Sequence, residues 1–166
     1  MRILVLGIGN LLLGDEGVGV RIVEALEQHY LLPPHVEVLD GGTSGMDLLD
    51  VMSKRDHLIV ADAVLTGAPP GTVAVLHDDE IPAMFSQKVS PHQLGLADVL
   101  MALRLTGEFP VRLTLVGVVP QSLEPGMTLT PVVNAAIEPA LKQIVAALQK
   151  SGVMAIPAEV AYAGGR

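Results

Sequence analysis

The stretch that decides the fold lies at the start of the chain, where residues 3–20 read ILVLGIGNLLLGDEGVGV. An unbroken apolar run at residues 3–6 predicts a β-strand that is buried on both faces. Glycines follow this run, and a helical pattern then covers residues 18–29. A strand, a glycine-rich turn and a helix in this order are typical of the opening of an α/β domain.

Four further apolar runs have the same character and predict strands over residues 36–39, 58–61, 73–76 and 113–118. Helical patterns cover residues 46–53, 92–106 and 131–150. The near-continuous hydrophobicity of the strands predicts a three-layer helix–sheet–helix sandwich around a mostly parallel sheet of about five strands. Residues 66–71 are too few for a parallel crossover, so we expect one antiparallel strand and a mixed sheet.

The composition fits one domain and excludes several kinds of function. We assign residues 1–150 to a single α/β domain and residues 151–166 to a small-residue-rich tail, either partly disordered or an extension specific to this protein. The absence of cysteine excludes thiol nucleophiles and cysteine-ligated metals. A net charge of -8 argues against a nucleic-acid partner.

No part of the chain reads as a membrane or export segment. Its apolar runs are shorter than the roughly 18 residues that a spanning helix needs. Asn10, Asp15 and Glu16 interrupt the N-terminal run where a signal peptide would continue. We therefore expect a cytoplasmic protein, and we expect it to be a monomer.

The glycine-rich turn invites comparison with dinucleotide-binding loops. Those loops need a third small residue where this chain has Leu12, and Asp15 and Glu16 would repel a pyrophosphate at the helix N-terminus. Asp40 stands where a ribose-binding acid would lie, so a nucleotide-binding enzyme remains an alternative. We expect Asp15 to cap the helix and Glu16 to project into a crevice at the strand ends.

Three acids follow predicted strands, namely Glu16, Asp40 and Asp62. Ligands collect outside the carboxyl ends of such strands. Asp62 directly follows a buried run, where a carboxylate is costly unless it faces water, a partner or a metal. His92 opens a long helix, and an imidazole beside two carboxylates suits nickel, zinc, manganese or iron. The alternative for His92 is a capping or surface histidine.

Other nucleophile and metal patterns are weaker. The remaining histidines sit at the ends of predicted elements and are interpreted as surface residues: His29, His35, His57 and His77. No His-Glu-x-x-His motif occurs, and Ser44 does not fit the nucleophile elbow of serine hydrolases. A serine hydrolase is therefore disfavoured.

Taken together, four ordered segments resemble the hydrogenase maturation endopeptidases, which process the large subunits of nickel-iron hydrogenases. They read GIGN with DEGVG over residues 7–10 and 15–19, DGGTSG over 40–45, DA over 62–63 and SPHQ over 90–93. The likeness runs in order as far as about Pro120 and covers most of the chain. Pro91 departs from the family pattern, in which alanine is common.

The resemblance implies a protease that removes a C-terminal extension from a nickel-loaded large-subunit precursor. The family's metal ligands correspond here to Glu16, Asp62 and His92. Nickel would arrive with the substrate, and another divalent metal could occupy the isolated protein. A chaperone that holds the nickel subunit without cutting it is the alternative from another class.

The resemblance also implies the remaining parts of the site. The family's substrate loop corresponds to Asp40, Gly41, Gly42 and Thr43, and its glycines would let a peptide approach the backbone closely. Either Asp40 or Asp62 would act as the general base for a metal-assisted step. In the alternative mechanism, the carboxylates, including that of Glu16, would catalyse cleavage without a metal.

Overall fold

The computed structural model describes residues 1–44, 46–78, 80–81 and 91–159, with the backbone alone for residues 46 and 91–95. Its strands are β1 (Ile3–Ile8), β2 (Tyr30–Leu31), β3 (Val36–Gly42), β4 (His57–Ala63), β5 (Val73–His77), β6 (Arg112–Val118) and β7 (Ile156–Pro157). Its α-helices are α1 (Val18–His29), α2 (Leu49–Met52), α3 (Pro91–Leu105), α4 (Pro131–Asn134) and α5 (Ile137–Lys150). Short 3-10 turns cover Gly14–Gly17 and Met46–Leu48.

The central sheet has the strand order β3-β1-β4-β6-β5. Strands β3, β1, β4 and β6 are parallel, and β5 runs antiparallel to β6. The predicted sheet, mixed and mostly parallel with five strands, is confirmed. The structure adds that β6 lies between β4 and β5, so the short connection over residues 66–71 joins strands that are not neighbours.

Alternate residues of β1 enter two separate hydrophobic layers. Ile3 and Val5 belong to the layer formed with α1 and α5, whereas Leu4 and Leu6 belong to the layer formed with α2 and α3. All four side chains are fully buried, and burying each of them contributes about 1.5–3 kcal/mol. Both faces of the sheet are therefore covered, which confirms the three-layer architecture.

The helix predicted over residues 131–150 is divided into α4 and α5. Pro139 explains the division, since it has no N–H to donate to the carbonyl of Ala135 and its ring would collide with that carbonyl. The chain turns at residues 135–136, where the N–H of Ala136 donates to the carbonyl of Val133 at 2.9 Å. The periodicity of the apolar residues survives because both helices cover the same face of the sheet.

The first half of the tail packs against the domain. Val153 and Ala155 are buried, and β7 pairs antiparallel with β2 through Tyr30↔Pro157 and Leu31↔Ile156. Residues 160–166, which the predicted tail also includes, lie outside the described residues. None of the helices in the described ranges is long and apolar enough to cross a bilayer.

Candidate active site

Close packing of α1 on the sheet brings the acidic turn to the carboxyl ends of β1 and β4. A Cβ atom at Gly19 would collide with the carbonyl oxygens of Ala61 and Ile8. A Cβ at Gly7 would lie 2.6 Å from Cγ2 of Val23. These two glycines therefore set how deeply the start of α1 can sit on the strands.

Glu16 lies in the 3-10 turn that precedes α1 and is only 6% exposed. Gly9, with a φ of 140°, lets the main chain of this turn settle on the end of β1, because a Cβ there would collide with the carbonyl oxygen of Glu16. The glycines of the first loop thus serve helix–strand packing. The space that a pyrophosphate would need beside Gly9 is taken by the turn itself, which argues against the nucleotide alternative.

Asp15 does not cap α1, contrary to our expectation. The residue before α1 is Gly17, and it makes no side-chain capping bond. The fully buried carboxylate of Asp15 instead accepts four hydrogen bonds from the segment after β6. The donors are the main-chain N–H groups of Gln121 (2.8 Å), Ser122 (3.0 Å) and Thr130 (2.8 Å) and the hydroxyl of Thr130 (2.8 Å).

These four bonds fix the charge state of Asp15. Burial raises the pKa of Asp15, but the hydrogen bonds from Thr130, Ser122 and Gln121 outweigh burial and hold the pKa below its ordinary value. The side chain is therefore an ionised clamp that joins the acidic turn to the segment following β6. Sequence reasoning missed this role because the partners lie more than 100 residues away.

Asp62 occupies the carboxyl end of β4, opposite Gly117 of β6. Its side chain is fully buried, and its Oδ1 accepts a hydrogen bond of 2.8 Å from the N–H of Ala63. Since β4 pairs in parallel with β1, Asp62 and the turn that carries Glu16 both lie at the carboxyl ends of these strands. Two buried carboxylates at one edge are costly in a folded protein unless cations or hydrogen-bond donors offset their charge.

The loop after β3 is shaped by Asp40 and its glycines. Asp40 is exposed, and its Oδ1 accepts a hydrogen bond of 2.8 Å from the N–H of Gly42. Gly42 has a φ of 52°, and its carbonyl accepts from the N–H of Gly9 at 2.8 Å. A Cβ at Gly41 would lie 2.9 Å from Cδ1 of Leu6. Through the bond from Gly42 to its Oδ1, Asp40 stabilises this turn.

A small crevice opens beside this loop, between the loop, α2 and α3. Its rim is polar and consists of Gly42, Thr43 and Ser44. Its floor is apolar and is formed by Ile8, Leu48, Met52, Leu96 and Val99. The crevice is too small to enclose a side chain, so it marks a polar rim over buried apolar residues next to the loop.

The predicted metal ligands are only partly covered by the structure. Glu16 and Asp62 both lie at the carboxyl ends of the parallel strands. The backbone of His92 belongs to the first turn of α3, but its side chain is not among those that the structure describes. Among the side chains that are described, no three acids or histidines lie close enough to hold a metal ion. Asp40 therefore does not form such a group with Glu16 and Asp62.

His57 is not a surface residue, contrary to our interpretation of the sequence. It is 1% exposed, and its ring nitrogens lie 2.7 Å from Oγ of Ser151 and 2.9 Å from Oγ1 of Thr114. Burial, and then the positive charge of Arg112, lower the pKa of His57 to about 4. His57 begins β4 and Asp62 lies near its end, so the two residues are at opposite ends of the same strand. His29 and His35 are exposed as predicted, and His77 is half-buried.

Two solved structures with the same architecture are hydrogenase maturation peptidases. The structure aligns with the hydrogenase maturating endopeptidase HybD from Escherichia coli at a TM-score of 0.93 and 67% identity, covering 96% of this chain and 99% of the other. It also aligns with a hydrogenase 2 maturation peptidase from Thaumarchaeota archaeon SCGC_AB-539-E09 at a TM-score of 0.70 and 32% identity, covering 90% and 99% of the two chains. The class defined by fold and strand-end carboxylates is thus an α/β maturation endopeptidase.

Sequence comparison gives the same result. The model of the hydrogenase maturation protease family matches residues 20–147. The hydrogenase 2 maturation protease of Escherichia coli is 66% identical over 163 residues, which cover 98% of this chain and 99% of the relative. The chain therefore belongs to the hydrogenase maturation protease family, and the predicted enzyme class is confirmed.

Proposed function

We propose that this endopeptidase removes the C-terminal extension of a nickel-iron hydrogenase large-subunit precursor only after nickel has been inserted. Glu16, Asp62 and His92 are the ligands that meet the nickel of the substrate. The observation that carries the proposal is the burial of two carboxylates at one edge of the sheet, Glu16 at 6% and Asp62 at 0% exposure. Carboxylate oxygens gathered at the carboxyl ends of neighbouring strands can bind a divalent cation that the substrate offers.

The chemistry of this ligand set suits a metal checkpoint. Carboxylate oxygens and an imidazole nitrogen bind borderline divalent ions such as nickel. Two carboxylates also balance the two positive charges of such an ion. A precursor without nickel would bring no cation for Glu16, Asp62 and His92 to bind, so it would be bound more weakly and cleaved more slowly.

We assign the general base to Asp40. This side chain is exposed at the end of β3, and the turn uses its Oδ1, whereas the buried Asp62 is assigned to the nickel. Asp40 takes a proton from a water molecule whose oxygen bonds to the scissile carbonyl carbon. The nickel that the substrate carries polarises the carbonyl, and the departing amide nitrogen receives the proton. The bond to nitrogen then breaks and releases the extension.

The hydrogenase 2 maturation protease of Escherichia coli suggests the substrate to try first. By that relationship, the precursor is the large subunit of a hydrogenase of the same type. We further propose that the enzyme acts as a monomer and in the cytoplasm. The charge of -8 fits an enzyme whose partner is a protein rather than a nucleic acid.

Mass spectrometry of the intact precursor tests this proposal. The precursor is prepared with and without nickel and incubated with the enzyme. We expect the nickel-loaded sample alone to lose the mass of a C-terminal peptide. Equal shortening of both samples would remove the nickel checkpoint. Tight binding with unchanged mass in both samples would favour the chaperone alternative.

A further inference from the structure

The outer edge of β3 is a ready-made binding surface that ends at the candidate active site. The strand order places β3 at one edge of the sheet, with β1 as its sheet neighbour. Its carboxyl end carries Asp40 and Gly42, which shape the loop at the rim of the crevice. The other edge strand, β5, is antiparallel, so its carboxyl end lies at the amino ends of the parallel strands, away from the candidate active site.

The register identifies the main-chain groups that face outward. Ile3 pairs with Val36, and the N–H of Ile3 donates to the carbonyl of His35. Since the main-chain groups of a strand alternate in direction, Glu37 and Leu39 bond to β1, and Val36, Val38 and Asp40 point away. The N–H of Val36 donates to Pro33 at 3.0 Å, whereas the described residues supply no hydrogen-bond partner for the N–H and C=O of Val38.

The geometry points to the occupant of this edge: we propose that an extended segment of the substrate precursor adds to β3 as a sixth strand. This inference rests on the proposed function. Main-chain pairing of this kind is a common way for a folded domain to bind an extended peptide. Glu37 is already paired with Arg55 at 2.9 Å, so Asp40 is the exposed acid that bears on the charge of the segment. In a chain of net charge -8, this favours a segment with uncharged or basic side chains.

The spacing of the strands allows one extended peptide to pair with β3 and also to reach Asp62. Neighbouring strands lie about 4.8 Å apart, so a strand added beside β3 lies about 14 Å from β4 and Asp62. An extended chain covers that distance in about four or five residues. The segment on β3 is therefore separated from the scissile bond by about that number of residues, and the residues between pass the crevice beneath Thr43.

The variant Val38→Pro tests the pairing without touching the ladder between β3 and β1. Proline removes an N–H that faces outward, and edge strands tolerate proline at such positions. We expect KM for the nickel-loaded precursor to rise about tenfold with kcat nearly unchanged. The matched control Val38→Ala removes the same side-chain packing but keeps the N–H, and its KM should stay within about twofold of wild type.

Amide hydrogen exchange on the wild-type protein gives a second readout that needs no variant. The probe is a synthetic peptide with the sequence of the precursor's extension and the residues before it. We expect exchange at Val38 to slow when the peptide binds, with little change at Glu37, whose N–H already bonds to β1. Unchanged exchange at Val38, or equal KM values for the proline and alanine variants, would overturn the proposal.

Two further outcomes separate the possible explanations. Exchange at Val38 that slows with protein concentration in the absence of peptide would mean that a second copy of this chain occupies the edge, which overturns the proposal. Failure of the wild-type enzyme to cleave the precursor would count against the proposed function, whereas cleavage with no effect of proline counts only against the added strand.

Discussion

Asp15 and Thr130, which are 115 positions apart in the chain, are joined by two hydrogen bonds of 2.8 Å each, one to the main-chain N–H and one to the hydroxyl of Thr130. With the bonds from Gln121 and Ser122, they hold the segment after β6 against the turn that carries Glu16. The neighbouring acids of this turn thus have different tasks. Asp15 stabilises the turn, and Glu16 is the acid of this turn that we propose as a nickel ligand.

The clamp predicts a stability effect for Asp15→Asn. The amide group would turn a donor toward the N–H groups of Gln121 and Ser122 or toward Thr130, so at least one buried donor would lose its acceptor. We expect the free energy of unfolding to fall by about 2–3 kcal/mol, measured by urea denaturation. The exposed control Glu24→Gln should change it by less than about 0.5 kcal/mol. An unaltered denaturation midpoint for Asp15→Asn would contradict the clamp.

His57 predicts a pH dependence of stability. Its pKa is lowered from 6.5 to about 4 in the folded protein, so the unfolded chain binds more protons between these values. Stability is therefore lost as the pH falls from about 6.5 to about 4, by up to about 3 kcal/mol from this residue. Urea denaturation at pH 7 and pH 4.5 measures the loss.

Replacement of histidines provides the control for this pH effect. His57→Gln should flatten the dependence between pH 7 and pH 4.5, whereas His35→Gln, at an exposed position, should leave it as in wild type. The substitution at His57 is expected to lower stability at pH 7, since it disturbs the bonds to Ser151 and Thr114. A slope that persists in His57→Gln would assign the pH effect to other groups.

Gly19 predicts a purely steric effect. Alanine there would collide with the carbonyl oxygens of Ala61 and Ile8, which are main-chain atoms of two paired strands. We expect Gly19→Ala to lower the free energy of unfolding by about 3 kcal/mol or more. Gly67→Ala is the comparison, because a Cβ there meets nothing within 4 Å and only its φ of 85° is strained. That change should cost about 1–2 kcal/mol, so equal losses for the two variants would contradict the steric account.

Asp62→Asn separates folding from processing. Asparagine can keep the bond from the N–H of Ala63 and the shape of the side chain but removes the charge of the proposed ligand, so we expect the variant to fold. Cleavage of the nickel-loaded precursor should fall at least about a hundredfold in kcat/KM, measured by mass spectrometry. Asp50→Asn, an exposed acid on α2, should cleave as wild type does. Normal processing by Asp62→Asn would remove this residue from the site.

Local patterns were sufficient for most of the architecture. The apolar runs located all five strands of the central sheet, and α1 begins and ends where predicted, because each of these elements buries a continuous apolar surface. The insertion of β6 between β4 and β5 was not predicted. Strand order depends on contacts between distant segments, which the spacing of residues within a single segment does not report.

The errors at single residues have the same origin. Asp15 resembles a helix cap by its position, but its partners lie on a segment that begins more than 100 residues later. His57 stands at a strand end, where exposure is common, yet Ser151 after α5 covers it. Glu16, Asp40 and Asp62 are predicted as site residues from a local rule, since ligands bind outside the carboxyl ends of the strands in such sheets, and this rule needs no long-range information.

The affinity of the enzyme for nickel-loaded and nickel-free precursor tests the central claim most directly. Asp40→Asn can keep the turn through Gly42 while slowing cleavage, so its complex persists long enough to be measured. We predict that this variant binds the nickel-loaded precursor at least about tenfold more tightly than the nickel-free one, and that adding Glu16→Gln removes the preference. Equal affinity for the two precursors, or a preference that survives Glu16→Gln, would contradict a nickel checkpoint built on these carboxylates.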